Sequence, residues 1–131
     1  MGHAPIWAVP ALLALLTACG QADDDERLAR LGLPPAGYQA DADHGATVYG
    51  AQCRACHGPA GRGTDQGPPL VHGYYVPGHH ADLAFYRAVK QGVVQHHWEF
   101  GDMPAQPQIP PTEVADVIAY VRGLQQRQGL R

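Results

Sequence analysis

Five consecutive positions in this 131-residue chain, Cys53-Arg54-Ala55-Cys56-His57, constrain its fold more than any other stretch. Only three cysteines occur, and two stand here three positions apart with a histidine directly after the second. A thiol-disulfide exchange pair needs no such histidine and belongs at a strand-to-helix junction, whereas the flanks here are glycine loops. A structural zinc site needs four ligands, usually a second cysteine pair or a spaced histidine pair. The third cysteine, Cys19, is remote, and four of the other histidines come as adjacent doublets. What remains is the covalent attachment pattern of c-type haem. Two thiols at this separation reach the two vinyl groups, and the next imidazole is held under the iron as proximal ligand. A chain stitched in this way must wrap a flat apolar group.

The rest of the composition fits a wrapping chain. Sixteen glycines and 12 prolines predict long ordered loops between few helices. The length allows one domain plus extensions. A formal net charge of -3 leaves no basic patch, which argues against a nucleic-acid partner.

Residues 4–19, APIWAVPALLALLTAC, form an uncharged apolar run of 16 residues, shorter than the ~20 needed to span a bilayer. The expected organisation is a signal peptide over 1–18, a tether over 19–42 and a folded domain over 43–131. LTAC, ending at Cys19, resembles the bacterial lipoprotein box, which implies cleavage before Cys19 and its lipidation; the competing reading is an ordinary cut after Ala22. Acyl chains at Cys19 anchor a protein to the periplasmic side of a membrane without a transmembrane helix. Export agrees with haem attachment outside the cytoplasm.

The acidic segment after Cys19 reads as a tether with at most a short helical turn around Asp25 to Leu31. A first helix, capped by Asp43, leads into the cysteine motif, with Val48 and Tyr49 on one side. A glycine- and proline-punctuated loop follows. A second helix starts near Asp82 and stops at Gly92. A third, capped by Thr112, carries Val114, Val117, Ile118, Val121 and Leu124 on one stripe, which needs the first helix as its partner. The fold class is all-α, with three to four helices and long loops.

With these features in place, the chain resembles the class I monohaem cytochromes c over roughly Asp43 to Leu124. The shared pattern is Gly45 and Tyr49 before CRACH, GPPL at 67–70, GDMP at 101–104, and Tyr120 in the last amphipathic helix. The resemblance implies a cytochrome c-like fold around one covalently bound haem c, with N- and C-terminal helices crossing at the glycine and aromatic positions. It also implies that the Pro68 carbonyl accepts a hydrogen bond from the proximal His57, fixing the ring and strengthening it as a donor.

The stretch QHHWEFGDMP, residues 95–104, offers His96, His97 and Met103 as the sixth iron ligand. Family pattern and chemistry favour Met103, followed by Pro104. A neutral thioether stabilises Fe(II) over Fe(III) and raises the potential. Met1 is the only other methionine, so core filling is a weaker account of this one.

The doublets His79/His80 and His96/His97 read as solvated rings or hydrogen-bond partners of the haem propionates, with Trp98 beside them. Their alternative is a shared second metal such as copper, assisted by Glu99 or Asp102. Asp65, Asp82, Glu99, Asp102 and the N-terminal acidic run read as solvated charges. Tyr74 and Tyr75 are candidates for lining the haem pocket, and Arg54 and Arg62 for meeting propionates.

The expected function is one-electron transfer rather than catalysis, between redox partner proteins such as a membrane oxidase, dehydrogenase or reductase. Only one lysine, Lys90, is present, so a lysine-ringed docking face is not expected. Two rivals stand beside it: a haem enzyme or gas sensor whose Met103 is displaceable, and a copper-handling protein working through His79, His80, His96 and His97 with an accessory haem.

Overall fold

The apolar stripe of the C-terminal segment fixes the architecture. The computed structural model describes residues 22–131; the signal segment and Cys19 lie outside the described residues. Five helices follow in order: α1 over 22–31, α2 Ala42–Gln52, α3 Arg54–His57, α4 Asp82–Gln91 and α5 Pro111–Arg127. Short 3-10 turns occupy Pro59–Gly61 and Gly73–Tyr75. Among the described residues there is no strand, only one isolated antiparallel bridge between Val93 and Met103. No helix among them is long and apolar enough to cross a membrane.

Helices α2 and α5 cross in direct backbone contact at Gly45, where a Cβ would lie 2.0 Å from the Asp116 carbonyl oxygen. Only glycine permits that approach. On one side of the crossing Val48, Tyr49, Leu70, Val117 and Val121 form a core, with Cys53, Tyr75, Phe85 and Tyr120 packed on it. The Tyr49 and Tyr120 rings meet at 5.3 Å. On the other side Ile109, Val114 and Ile118 pack against Phe85, Tyr86 and Val89 of α4. The expected stripe is thus buried through Val121, and its partner is α2 as anticipated.

Several local expectations shift. Asp41, not Asp43, caps α2: it is extended (φ -106°, ψ 108°), and its side chain accepts from the Asp43 and His44 amides. Pro110 occupies the cap position of α5 and Pro111 its first turn, displacing Thr112 inward. Proline's fixed φ and missing N–H suit that first turn. Leu124 is only half-buried, and the stripe continues instead at Gln125, 1% exposed. Its amide donates to the carbonyls of Leu70 (2.9 Å) and Tyr75 (3.0 Å), and an aliphatic side chain would leave the Leu70 carbonyl unpaired.

The segment read as a tether is more ordered than expected. Helix α1 ends at Gly32 (φ 75°), with Gly32 N–H on Ala29 and Leu33 N–H on Leu28, the paired closure that a left-handed glycine provides. The Lys90 ammonium donates to the Arg30 carbonyl at 3.0 Å. Farther on, Tyr38 reaches Asp116 of α5 through its hydroxyl at 3.0 Å. These polar ties to α4 and α5 are invisible to hydrophobic periodicity, which is why the stretch reads as linker.

Candidate functional site

Helix α3 is a single turn that carries the cysteine motif. Both the Cys56 amide (3.3 Å) and the His57 amide (2.9 Å) donate to the Cys53 carbonyl. Residues three apart on such a turn share a face, so the turn presents both thiols to one side. Cys53 is half-buried on the α2–α5 core and Cys56 is exposed; the two are not joined in a disulfide. Burial, then the neighbouring Cys56, pushes the Cys53 thiol up to about 11.

The loop after the motif closes over its end. Thr64 donates its hydroxyl to the Cys56 carbonyl at 2.6 Å, and the Gly63 amide donates to the His57 carbonyl at 2.7 Å. Tyr49, buried under this loop, donates to the Gly58 carbonyl at 2.8 Å. The loop's return at GPPL brings Pro68 to His57: Nδ1 lies 2.9 Å from the Pro68 carbonyl oxygen. A carbonyl only accepts, so Nδ1 carries the hydrogen and Nε2 is left with a free lone pair. Burial pulls the His57 imidazole below its ordinary value, opposed by the Pro68 carbonyl. The ring is therefore held neutral with Nε2 available as a donor to metal.

Met103 is placed by the end of α4. Gly92 terminates that helix at φ 77°, and the chain then pairs with the returning loop: Val93 N–H to Met103 O at 3.0 Å and Met103 N–H to Val93 O at 2.9 Å. A further bond from Gln106 N–H to the Val89 carbonyl, 2.7 Å, pins the following residues to α4. Close backbone approach requires the glycine, since a Cβ at Gly92 would lie 2.6 Å from the Met103 oxygen. Met103 is half-buried.

An aromatic and imidazole cluster is drawn from two loops. Tyr74 stacks on His97 with ring centroids 4.5 Å apart, and Trp98 packs edge-on against His72 (5.1 Å) and Tyr74 (5.6 Å). His79, His80 and His97 gather so that one ring nitrogen from each lies within 4.8 Å of the others. His96 sits beside them, 4.3 Å from the His97 ring centroid, but belongs to no such trio among the described residues. Burial and the neighbouring His96, His80, His79 and His72 rings hold His97 below its ordinary value.

Residues read as solvated charges are in part engaged. Asp82 pairs with the Arg122 guanidinium at 2.9 Å, and Asp102 accepts from the Gln95 amide at 3.0 Å. Arg122 also donates to the carbonyls of Tyr75 and His80, and so ties the 75–82 loop to α5. Sequence reasoning missed Arg122, Gln125 and Asp116. Their signal is positional: Gln125 continues the Val114-to-Val121 row by four residues, and Asp116 lies between its first two members.

The donor set fits a c-type haem. Two thiols share a helical turn, the adjacent imidazole has its far nitrogen fixed by Pro68, and a thioether is carried on a separate loop. Trp98 Nε1 is buried without a hydrogen-bond partner in the protein. An N–H left so is available to an acceptor on a bound group, and a propionate oxygen is one.

The family model described as Cytochrome c matches residues 42–125, close to the span over which the sequence pattern runs. No curated protein and no solved structure matches the chain.

Proposed function

The chain belongs to the cytochrome c family, and on that premise we propose that it is an exported carrier whose one covalent haem c would be held by His57 and Met103. As a cytochrome c it binds that haem covalently and transfers electrons. When bound, the group supplies a single-electron couple between Fe(II) and Fe(III).

The chain's own residues do the rest. Cys53 and Cys56 provide the thioether sulfurs from one face of α3. His57 Nε2 is the proximal ligand, its ring orientation set by Pro68 O; that 2.9 Å bond is the observation that carries the reading. Met103, pinned by the bridge to Val93, would supply a second ligand, a neutral thioether that favours the reduced ion. Held by both residues, the iron would offer no site for a substrate, and the carrier would exchange electrons with partner proteins such as a membrane oxidase, dehydrogenase or reductase. Lys90, the sole lysine, is spent on the Arg30 carbonyl, which supports docking by something other than a ring of lysines. The lipoprotein pattern at Cys19 adds a membrane tether on the periplasmic side, which raises the effective concentration near membrane-bound partners.

Spectroscopy tests the axial assignment. The ferric protein should show the weak long-wavelength thioether band and the ferrous protein should resist carbon monoxide. Met103→Ala should abolish the band and admit the gas. Persistence of the band in that variant would refute Met103, and rapid carbon monoxide capture by the wild type would favour a haem enzyme or gas sensor. The mass of the mature chain decides the tether, since a peptide beginning at Asp23 would exclude an anchor at Cys19.

A further inference from the structure

We propose that His79, His80 and His97 form a second, mononuclear metal site for a divalent late transition ion, zinc or copper, that clips together the two loops flanking the haem region. The inference rests on the proposed function in one respect: with Met103 as the iron's ligand, His97 is free for the second ion.

Geometry carries it. His79 Nε2 and His97 Nε2 face each other at 3.2 Å. Two imidazoles on one tetrahedral ion at 2.0–2.1 Å stand about 3.4 Å apart, so this pair is already at chelating separation. Two such nitrogens facing one another need either a shared proton or a cation between them. The third nitrogen lies within 4.8 Å of both, and a shared ion would draw it closer.

The third ring is also prepared. His80 Nδ1 contacts the Tyr74 carbonyl, which only accepts, so Nδ1 carries the hydrogen and Nε2 is bare. A backbone carbonyl on the far nitrogen is the usual outer support of a metal-binding histidine. His97 is steadied by the Tyr74 ring stacked on it at 4.5 Å, and the His80 backbone is held to α5 because its carbonyl accepts from Arg122 at 2.6 Å.

Donor chemistry names the class of ion. Three neutral imidazoles with no carboxylate in the trio suit copper and zinc and disfavour magnesium or calcium. Of the two acids considered from sequence, Glu99 and Asp102, neither belongs to the trio, and Asp102 accepts from the Gln95 amide. His79 is exposed, leaving the fourth position open to solvent. Because His97 lies on the loop that leads to Met103, an ion here joins that loop to the 72–80 loop.

Calorimetric titration of Zn(II), which has no redox chemistry of its own, into haem-loaded protein without an affinity tag tests the proposal. One equivalent should bind, with the zinc absorption edge reporting imidazole nitrogens at about 2.0 Å. His97→Phe keeps a ring on Tyr74 but removes both nitrogens, and should weaken binding at least about tenfold. His79→Gln, at an exposed position, should do the same, with far-ultraviolet circular dichroism reporting the fold of each variant. Absence of a one-to-one site in the wild type, or equal affinity in wild type and either folded variant, would overturn the proposal.

Discussion

Two substitutions of the same chemistry on the same helix should have opposite effects, because the α2–α5 crossing touches one glycine and not the other. At Gly45 a methyl group would lie 2.0 Å from the Asp116 oxygen, 2.3 Å from its carbonyl carbon and 2.9 Å from the Val117 nitrogen. All three are backbone atoms, so no rotamer change relieves them. Ordinary contact begins near 3.4 Å, and Gly45→Ala therefore drives α2 and α5 apart by roughly an ångström or more, loosening Val48, Tyr49, Val117 and Val121 together. Overpacking costs ~1–3 kcal/mol and an unyielding backbone puts this case at the upper end. Alanine's gain over glycine in a helix, about 1 kcal/mol, offsets part. The net expectation is a loss of about 2 kcal/mol, or a fall of roughly 8 °C in Tm. At Gly50 nothing lies within 4 Å of the added carbon, so Gly50→Ala keeps only the helix gain, about 0.5–1 kcal/mol of stabilisation. Guanidinium unfolding of the haem-loaded protein, followed by far-ultraviolet circular dichroism, measures both. If Gly45→Ala unfolds at the same midpoint as Gly50→Ala, with unchanged slope, the crossing is not where this reasoning puts it.

Gly92→Ala should disturb the iron site rather than only the fold: it forces alanine to φ 77° and presses on the Met103 carbonyl at 2.6 Å, so the thioether band should weaken and carbon monoxide capture by the ferrous protein should quicken. Pro68→Ala retains the carbonyl but frees the turn that aims it; a looser bond to His57 makes the imidazole a weaker donor, Fe(III) loses stabilisation, and spectroelectrochemistry should find the potential raised. Asp116→Ala strips the acceptor from the Tyr38 hydroxyl, the Asp41 amide (2.8 Å) and the His44 ring (2.7 Å), at a cost of ~2–4 kcal/mol in chemical denaturation. That cost should depend on pH. Burial alone would raise the Asp116 carboxyl, but the bonds from His44, Asp41 and Tyr38 outweigh it and hold the group below 3.8, while the Asp116 bond holds His44 above 6.5. The aspartate's contribution is present above 3.8 and fades as pH falls through its lower folded value. The histidine's is present below 6.5 and fades as pH rises through its higher folded value. The difference between wild type and Asp116→Ala should therefore be largest between pH 3.8 and 6.5, and a flat difference from pH 3 to 8 would refute the pairing.

What could be read from the sequence divides along a physical line. CRACH was legible because covalent attachment demands fixed residue types at fixed spacing, and the α5 stripe because burial imposes a helical period on apolar positions. Gly45 was legible only through family pattern, since a glycine in a helix does not say which backbone approaches it. The hidden residues are polar ones whose partners lie far along the chain: Asp116 reaches back to Tyr38, Asp41 and His44, and Gln125 to Leu70 and Tyr75. No periodicity marks such pairs, because a hydrogen bond is specified by a meeting of two atoms and not by a face. The histidine doublets show the same limit from the other side. Adjacent rings diverge, so each doublet alone argues against chelation. The structure departs from that expectation: the adjacent rings of His79 and His80, with centroids 4.8 Å apart, bring nitrogens within 4.8 Å of each other and of His97 from the second loop. Arg122 is what holds the first loop in place, through the carbonyls of Tyr75 and His80. Any metal chemistry at the doublets is thus a property of α5 as much as of the histidines, and loss of the arginine should disperse the trio without touching a ligand.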